Sequence, residues 1–474
     1  MKNILLIIST LIVNISFAQT EKSTNKTVAE SFVKNYNSDN YEVIFSMFAE
    51  VMQKALPIDK TNEFLKGLKS QAGNISNREF LKYESETYAS YKTTFERAVY
   101  TLNISIDDKS KINGLFIKPF VEEVPSENVI NNLSAKNSFI TEKQSEIIFN
   151  NSKVFPNQTQ IAIAIITNGK VNYYGIKQNN DTISTSKNHE STFEIGSITK
   201  VFTSTLLSNF VKDKKIKLND NINDYLNLSF NNGTKISFKT LANHTSGLPS
   251  LPSNLDLTKV NPENPYKEYK KQELVEYLTK YLIISQNSEL KYEYSNLGAG
   301  LIGYTLSEIE NISYDSLLRT KIFSKYNMLN STTELTKVKG ELVKGQDASG
   351  NEVSNWGFSV LAGAGGILST VEDMSKFAIS QFDCSNKELK LTRQKTFEIN
   401  DNMSIGLGWH IIKSKSGSVL NCHNGGTGGY SSSMAIDMKS KNGIIILSNV
   451  SAFNPKMENI DKLCFELMET LKNK

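Results

Sequence analysis

The chain has 474 residues, a formal charge of +4, and 39% hydrophobic and 22% charged residues. That length suits two or three domains around a sizeable core, and the composition is that of a globular protein rather than a disordered or fibrous one. Acidic and basic residues are interspersed, which argues against a nucleic-acid footprint.

Lys2 precedes the apolar run ILLIISTLIVNI, and Ser16 and Ala18 supply the small residues of a cleavage site. This pattern predicts a secretory signal peptide over residues 1–18. The run is short for a membrane span, and no later stretch reaches about 18 uninterrupted apolar residues. The mature chain is therefore expected to be periplasmic or secreted, with no transmembrane span. Cys384, Cys422 and Cys464 allow one disulfide of open pairing, and their spacing fits no metal site. No metal or cofactor is expected.

From Val28 to Gly73 the apolar residues recur at helical spacing, with Pro57 dividing two helices. After Asn77 the aromatic and β-branched run EFLKYESETYASYKTTFERAVYTLNISI predicts strands, followed by the turn DDKSKING and the strand LFIKPF. Together these predict a small α+β domain over residues 25–122. It resembles the cone-shaped domains of the nuclear-transport-factor-like class. It carries no paired carboxylates or histidines, so it reads as a packing, dimerisation or wall-tethering module.

The polar segment 123–140 reads as a linker, and a second domain is predicted over 141–474. A helix at 141–153 leads into two strands joined by the turn TNGK. The far end of the domain repeats the pattern: IGLGWHII, SVLNCHN, YSSSMAIDM and GIIILSNV read as strands, and a helix from about 455 to 472 follows. Between the two lies a mixed, mostly helical stretch, about 197 to 385. Strands from both ends of the domain can pair into one antiparallel sheet, with the middle forming a helical lobe and a cleft between them.

Three short stretches carry chemistry. In FEIGSITKVFT, Ser197 and Lys200 stand one helical turn apart behind Gly196. A serine hydroxyl needs a base within hydrogen-bond reach, a buried lysine can be that base when neutral, and an amide at a helix N-terminus is free to face an oxyanion. The same serine–lysine spacing recurs at Ser23, Ser31, Ser184 and Ser288, so the glycine and the apolar helix behind Ser197 single it out. In YEYSNLGAGLIG, Tyr294 and Asn296 stand two residues apart and can face one substrate, the phenol to relay a proton and the amide to hold a carbonyl. Tyr225 and Asn227 repeat that spacing in a polar loop and read as structural. In NCHNGGTGGYSS, His423 and Gly425 are candidates for binding substrate, and the amide of Gly426 for a second oxyanion donor. Lys415-Ser416-Gly417 offers a competing third motif, but KSKSGS reads better as a hairpin tip.

These stretches, with LANHTSGLP, LAGAGGILSTVEDMSKFA and GLGW, resemble serine hydrolases related to class C β-lactamases and D-alanyl-D-alanine carboxypeptidases, over roughly residues 140–470. The resemblance implies a two-lobed α/β fold, an antiparallel sheet flanked by helices plus a helical lobe. It implies Ser197 as acylated nucleophile, Lys200 as base, Tyr294 as second proton-transfer group and Asn296 as substrate holder, with the amides of Ser197 and Gly426 as oxyanion hole. The substrate would be a small molecule or peptide: a β-lactam, a D-alanyl peptide or a small ester. Many β-lactamases of this group carry lysine where this chain has His423, and histidine supplies that charge only partly at neutral pH. The alternative is a penicillin-binding receptor that is acylated without turnover, and a third possibility is an inactive scaffold. His244 is expected to hold its own turn, LAGAGGILST to pack under the cleft, and Trp356 and Trp409 to lie in the core or cleft wall. The oligomeric state stays open.

Overall fold

The computed structural model describes residues 20–84, 88–120, 129–133, 139–256, 260–261, 263–284, 290–414 and 417–471. The leader expected over 1–18, and Lys415 and Ser416 of the competing motif, lie outside them. Among the described residues no helix is long and apolar enough to cross a membrane.

The chain forms two compact units, divided between Phe120 and Val121. In the first, four helices (Ser23–Asn37, Tyr41–Met47, Glu50–Ala55 and Ile58–Ala72) precede a four-stranded antiparallel meander, Ile75–Tyr83, Tyr88–Phe95, Val99–Ile106 and Ile112–Pro119. Its core takes Val28, Phe32 and Tyr36 from the first helix, and Tyr91, Leu102 and Ile104 from one face of the sheet. Tyr91 and Leu102 are direct cross-strand partners, which stacks the sheet's apolar residues on the helix side.

The second unit is built on a ten-stranded sheet. At its centre, Gln160–Thr167, near the start of the unit, pairs antiparallel with Asn442–Ser448, near its end. Both runs are apolar at nearly every position because both faces of the sheet are covered. Ile161, Ile163 and Ile165 face a cluster shared with the helices Glu142–Ser152 and Glu458–Thr470. Ala162, Ala164 and Ile166 face the larger core of the helical lobe, with Val201, Phe202 and Leu206 of the helix Thr199–Lys212. The two terminal helices are tied by Gln144 Nε2 donating to Thr470 Oγ1 (2.9 Å) and Asn151 Nδ2 to Glu466 Oε2 (2.7 Å).

Three local expectations change. The strand read over 405–412 is two strands, Met403–Ile405 and His410–Lys413, paired with each other, and the chain reverses at 406–409. Part of the segment read as a linker, Ile130–Asn132, is an edge strand, parallel to Thr182–Ser186. The three cysteines are free thiols, Cys384 exposed and Cys422 and Cys464 buried.

Candidate active site

Ser197 lies in a tight turn, Gly196–Ile198, between the strand Thr192–Glu194 and the helix Thr199–Lys212. That turn is short of the regular helix expected there, and it leaves Ser197 half-buried while Ile198 and Lys200 are buried. Gly196 has φ +49°, and a Cβ on it would stand 2.5 Å from the amide nitrogen of Gly426. A Cβ on Gly425 would stand 2.1 Å from the Ile195 carbonyl oxygen and 2.8 Å from the amide nitrogen of Ser197. Both glycines are therefore needed for the Ser197 turn to lie against the strand Val419–Gly426. Ser432 Oγ closes the contact by donating to the Ile195 carbonyl (2.8 Å).

Lys200 is 1% exposed, and burial holds its ammonium pKa well below the usual value. Its Nζ lies 2.9 Å from Ser197 Oγ, 2.7 Å from Asn296 Oδ1 and 2.7 Å from the Ala364 carbonyl oxygen. A neutral amine has two hydrogens and one lone pair. The two carbonyl oxygens cannot donate, so they take the hydrogens, and the lone pair faces the Ser197 hydroxyl.

Tyr294 and Asn296 flank Ser295, whose extended backbone (φ −126°, ψ 114°) turns its neighbours to one side. Ser295 Oγ faces the other way, accepting from the Gly298 amide (2.9 Å) and donating to the Pro249 carbonyl (2.7 Å). It thereby caps the helix Asn296–Glu310. Burial raises the Tyr294 pKa, which keeps the phenol protonated, and its hydroxyl is hydrogen-bonded to Ser197. Lys200 Nζ sits 4.8 Å from the centroid of the Tyr294 ring.

His423 lies 3% exposed on the strand Val419–Gly426. Its ring centre is 6.3 Å from that of Tyr294 and 5.2 Å from that of His410. Burial, with His410 and Lys200 nearby, holds its pKa well below the ordinary value. The partial positive charge expected at this position is therefore replaced by a neutral ring. Nδ1 stands 2.6 Å from the Asn424 carbonyl, so Nδ1 carries the hydrogen, and Nε2 is buried with no partner among the described residues. The neighbouring strand His410–Lys413 pairs only as far as Cys422, so His423–Gly426 runs beyond it. Thr427 donates its amide hydrogen to the Tyr430 carbonyl (2.9 Å). Antiparallel ladders alternate, so the Gly426 amide points to the opposite, uncovered edge, beside the Ser197 turn.

The remaining expectations resolve as follows. Tyr225 lies in the short helix Asn223–Leu226, packs against Phe238 and donates to Asp220 Oδ2 (2.7 Å), and Asn227 ends that helix in the left-handed region (φ 51°), a structural pair. His244 holds more than its own turn. Its Nδ1 accepts from the Ser295 amide (3.2 Å), its carbonyl accepts from Glu293 (2.8 Å), and its ring lies 4.6 Å from that of Tyr294. Burial lowers its pKa to about 3. Trp409 is core, at 0% exposure. Trp356 is half-buried in an aromatic group with Tyr266, Phe358 and Phe453. That group abuts Gly428, two residues past Gly426, through Trp356, and Gly365, next to Ala364, through Phe358.

Sequence reasoning missed three parts. The Ala364 carbonyl is a backbone group that no residue type announces. His410 Nε2 meets the Tyr292 hydroxyl at 2.8 Å beside the Tyr294 loop. Glu194, two residues before Gly196, is 4% exposed, and burial raises its pKa to about 7. Its Oε1 accepts from Asn355 Nδ2 (2.7 Å) and the Trp356 amide (2.8 Å), and the Thr427 hydroxyl, which also meets the carboxylate, partly offsets the effect of burial.

A serine faced by a lysine whose charge burial disfavours, by a protonated phenol and by the Gly426 amide forms the candidate site, on a two-lobed α/β fold. Comparison with known proteins narrows it. The family model described as Beta-lactamase matches residues 155–466, and one described as a protein of unknown function (DUF3887) matches residues 29–115. The chain belongs to the beta-lactamase family. It is 28% identical over 246 residues to Beta-lactamase-like protein 4 of Dictyostelium discoideum, covering 47% of this chain and 40% of that one. It is 24% identical over 260 residues to a Beta-lactamase of Pseudomonas fluorescens, covering 53% and 69%. The chain spans less than half the length of several such relatives, 38% for a Beta-lactamase of Providencia stuartii. In fold it is similar to an octameric penicillin-binding protein homologue from Pyrococcus abyssi (TM-score 0.59, 20% identity, 70% of this chain and 77% of that one). It is also similar to a Beta-lactamase/D-alanine carboxypeptidase from Yersinia pestis (TM-score 0.54, 25% identity, 68% and 96%).

Proposed function

We propose that this chain is an exported serine hydrolase that forms an acyl-enzyme on Ser197 and hydrolyses an amide or ester. The observation that carries the reading is the three-way hydrogen bonding of Lys200, which leaves its lone pair one direction to act, toward Ser197 Oγ. In acylation Lys200 takes the serine proton as Oγ attacks the substrate carbonyl carbon. The oxyanion settles against the amides of Ser197 and Gly426. Tyr294 passes its proton to the leaving nitrogen or oxygen and is reprotonated by the Lys200 ammonium. Asn296, whose Oδ1 holds Lys200, keeps its Nδ2 for a substrate carbonyl. Deacylation repeats the steps with water in place of the serine. A tyrosinate base is disfavoured, because burial raises the pKa of Tyr294.

Export rests on the leader pattern of residues 1–18, and a mature protein beginning at Gln19 by N-terminal mass analysis would support it. The activity test is turnover of a chromogenic cephalosporin, a D-alanyl-D-alanine peptide and a p-nitrophenyl ester. Multiple turnovers on at least one, abolished in Ser197→Ala, are expected. A stable adduct on Ser197 without product release would favour the penicillin-binding receptor instead. Failure of a fluorophosphonate probe to label Ser197 would leave only a scaffold.

A further inference from the structure

Resting on the hydrolase reading, we propose that the leaving-group end of the substrate presents a hydrogen-bond donor, and not an anion, to His423 Nε2. The ring's two nitrogens are in different states. Nδ1 is 2.6 Å from the Asn424 carbonyl oxygen, and a carbonyl can only accept, so the hydrogen is on Nδ1. In the neutral ring this leaves Nε2 as a bare acceptor. That atom is buried and has no partner among the described residues. An unpaired buried acceptor is costly and is normally matched by something. On its strand, His423 alternates with Cys422, which packs in the cluster of the terminal helices, so the imidazole faces the helical lobe, the side that holds Tyr294.

A second proton on the ring is opposed first by burial, and any charge on His410 or Lys200 would oppose it further. Asp461, a carboxylate bonded to this strand, is engaged elsewhere, by Asn424 Nδ2 (2.6 Å) and Ser433 Oγ (2.6 Å). A substrate carboxylate placed against Nε2 would meet a lone pair and lose its hydration without gaining a donor. An amide N–H or hydroxyl in the same place completes the bond. The end of the substrate concerned is the leaving group, because Tyr294, which delivers the proton to the departing atom, is the group His423 neighbours.

The experiment uses three aryl esters of one acyl group whose departing phenol carries a meta carboxamide, methyl ester or carboxylate. The full-length protein is assayed for kcat/KM on each. The expected result is a preference for the carboxamide over the carboxylate of about 10-fold or more, with the methyl ester, neutral but without a donor, in between. His423→Lys should reverse the order, and the reading is a ratio within one enzyme, so lower total activity does not disturb it. Equal rates, or a carboxylate preference in the unmodified protein, would overturn the proposal. Absence of turnover together with an unlabelled Ser197 would overturn the hydrolase reading beneath it instead.

Discussion

Lys200 and His423 are two buried bases whose charged forms burial disfavours, and both lie beside Tyr294. They differ in what is left over. Lys200 has all three of its tetrahedral directions occupied, two by carbonyl oxygens and one by the nucleophile. His423 has one nitrogen fixed and one open. A saturated base can act in a single direction, which suits chemistry. An unsaturated one waits for a group from outside, which suits recognition.

The strongest way to break this comparison is to remove the first base. Lys200→Met should lower kcat about 10³-fold or more on any substrate that is turned over. The same change should stabilise the fold. Burial lowers the pKa of this lysine in the folded protein relative to the unfolded chain. The unfolded state thus binds more protons, and wild-type stability gains a component that rises with pH toward the ordinary lysine pKa. The variant lacks that component. Its melting temperature should exceed that of the wild type most at pH 6–7, with the gap narrowing toward pH 10. A gap that stays constant with pH would mean that Lys200 is charged in the fold, and the symmetry of the two bases would be lost.

How much of this arrangement was legible in the sequence follows the kind of atom involved. Ser197, Lys200, Tyr294 and Asn296 were visible because each is a side chain set at a spacing that brings functional groups to one face. The pairing of Gln160–Thr167 with Asn442–Ser448 was also readable, because both are apolar runs bounded by turns. The acceptor on Ala364 was not, since a carbonyl oxygen belongs to every residue. His410 was hidden inside a run read as one strand, and only the reversal at 406–409 brings its ring to Tyr292. The neutrality of His423 is hidden for a related reason: it comes first from burial, which the fold creates by bringing distant parts of the chain around the ring. Ile130–Asn132 is too short and polar to announce itself, and joins the sheet through backbone pairing with Thr182–Ser186.

Glu194 extends the comparison to a buried acid. Below about pH 4.5 both folded and unfolded chains carry the proton. Between that and its folded pKa of about 7, the folded protein holds a proton the unfolded chain has released. Its contribution to stability is therefore full at low pH and is lost as pH rises through 7. The shift corresponds to about 3 kcal/mol. Glu194→Gln keeps an acceptor for Asn355 and Trp356 and turns an amide donor toward the Thr427 hydroxyl, which can accept as well as donate. The variant should match the wild type at pH 4 and melt higher at pH 8, as read by thermal denaturation across that range. A variant less stable at pH 8 would show that the carboxylate is matched in the fold, and that burial alone does not decide which groups near this serine stay neutral.

The smallest effect sharpens the division between polar and apolar recognition. Trp356 stands with Phe358 and Phe453 beside the strand that carries the Gly426 amide, and its backbone is anchored by Glu194. Its side chain touches neither Lys200 nor His423 in any ring or hydrogen-bond contact among the described residues. Trp356→Ala should raise KM for aromatic esters about 10-fold with kcat nearly unchanged, the signature of lost uniform binding. The carboxamide-to-carboxylate ratio set by His423 should not move. If the ratio shifts together with KM, the aromatic wall and the histidine act as one surface. His423 would then no longer be an independent socket, and the contrast with Lys200 would have to be drawn between the base and the whole wall.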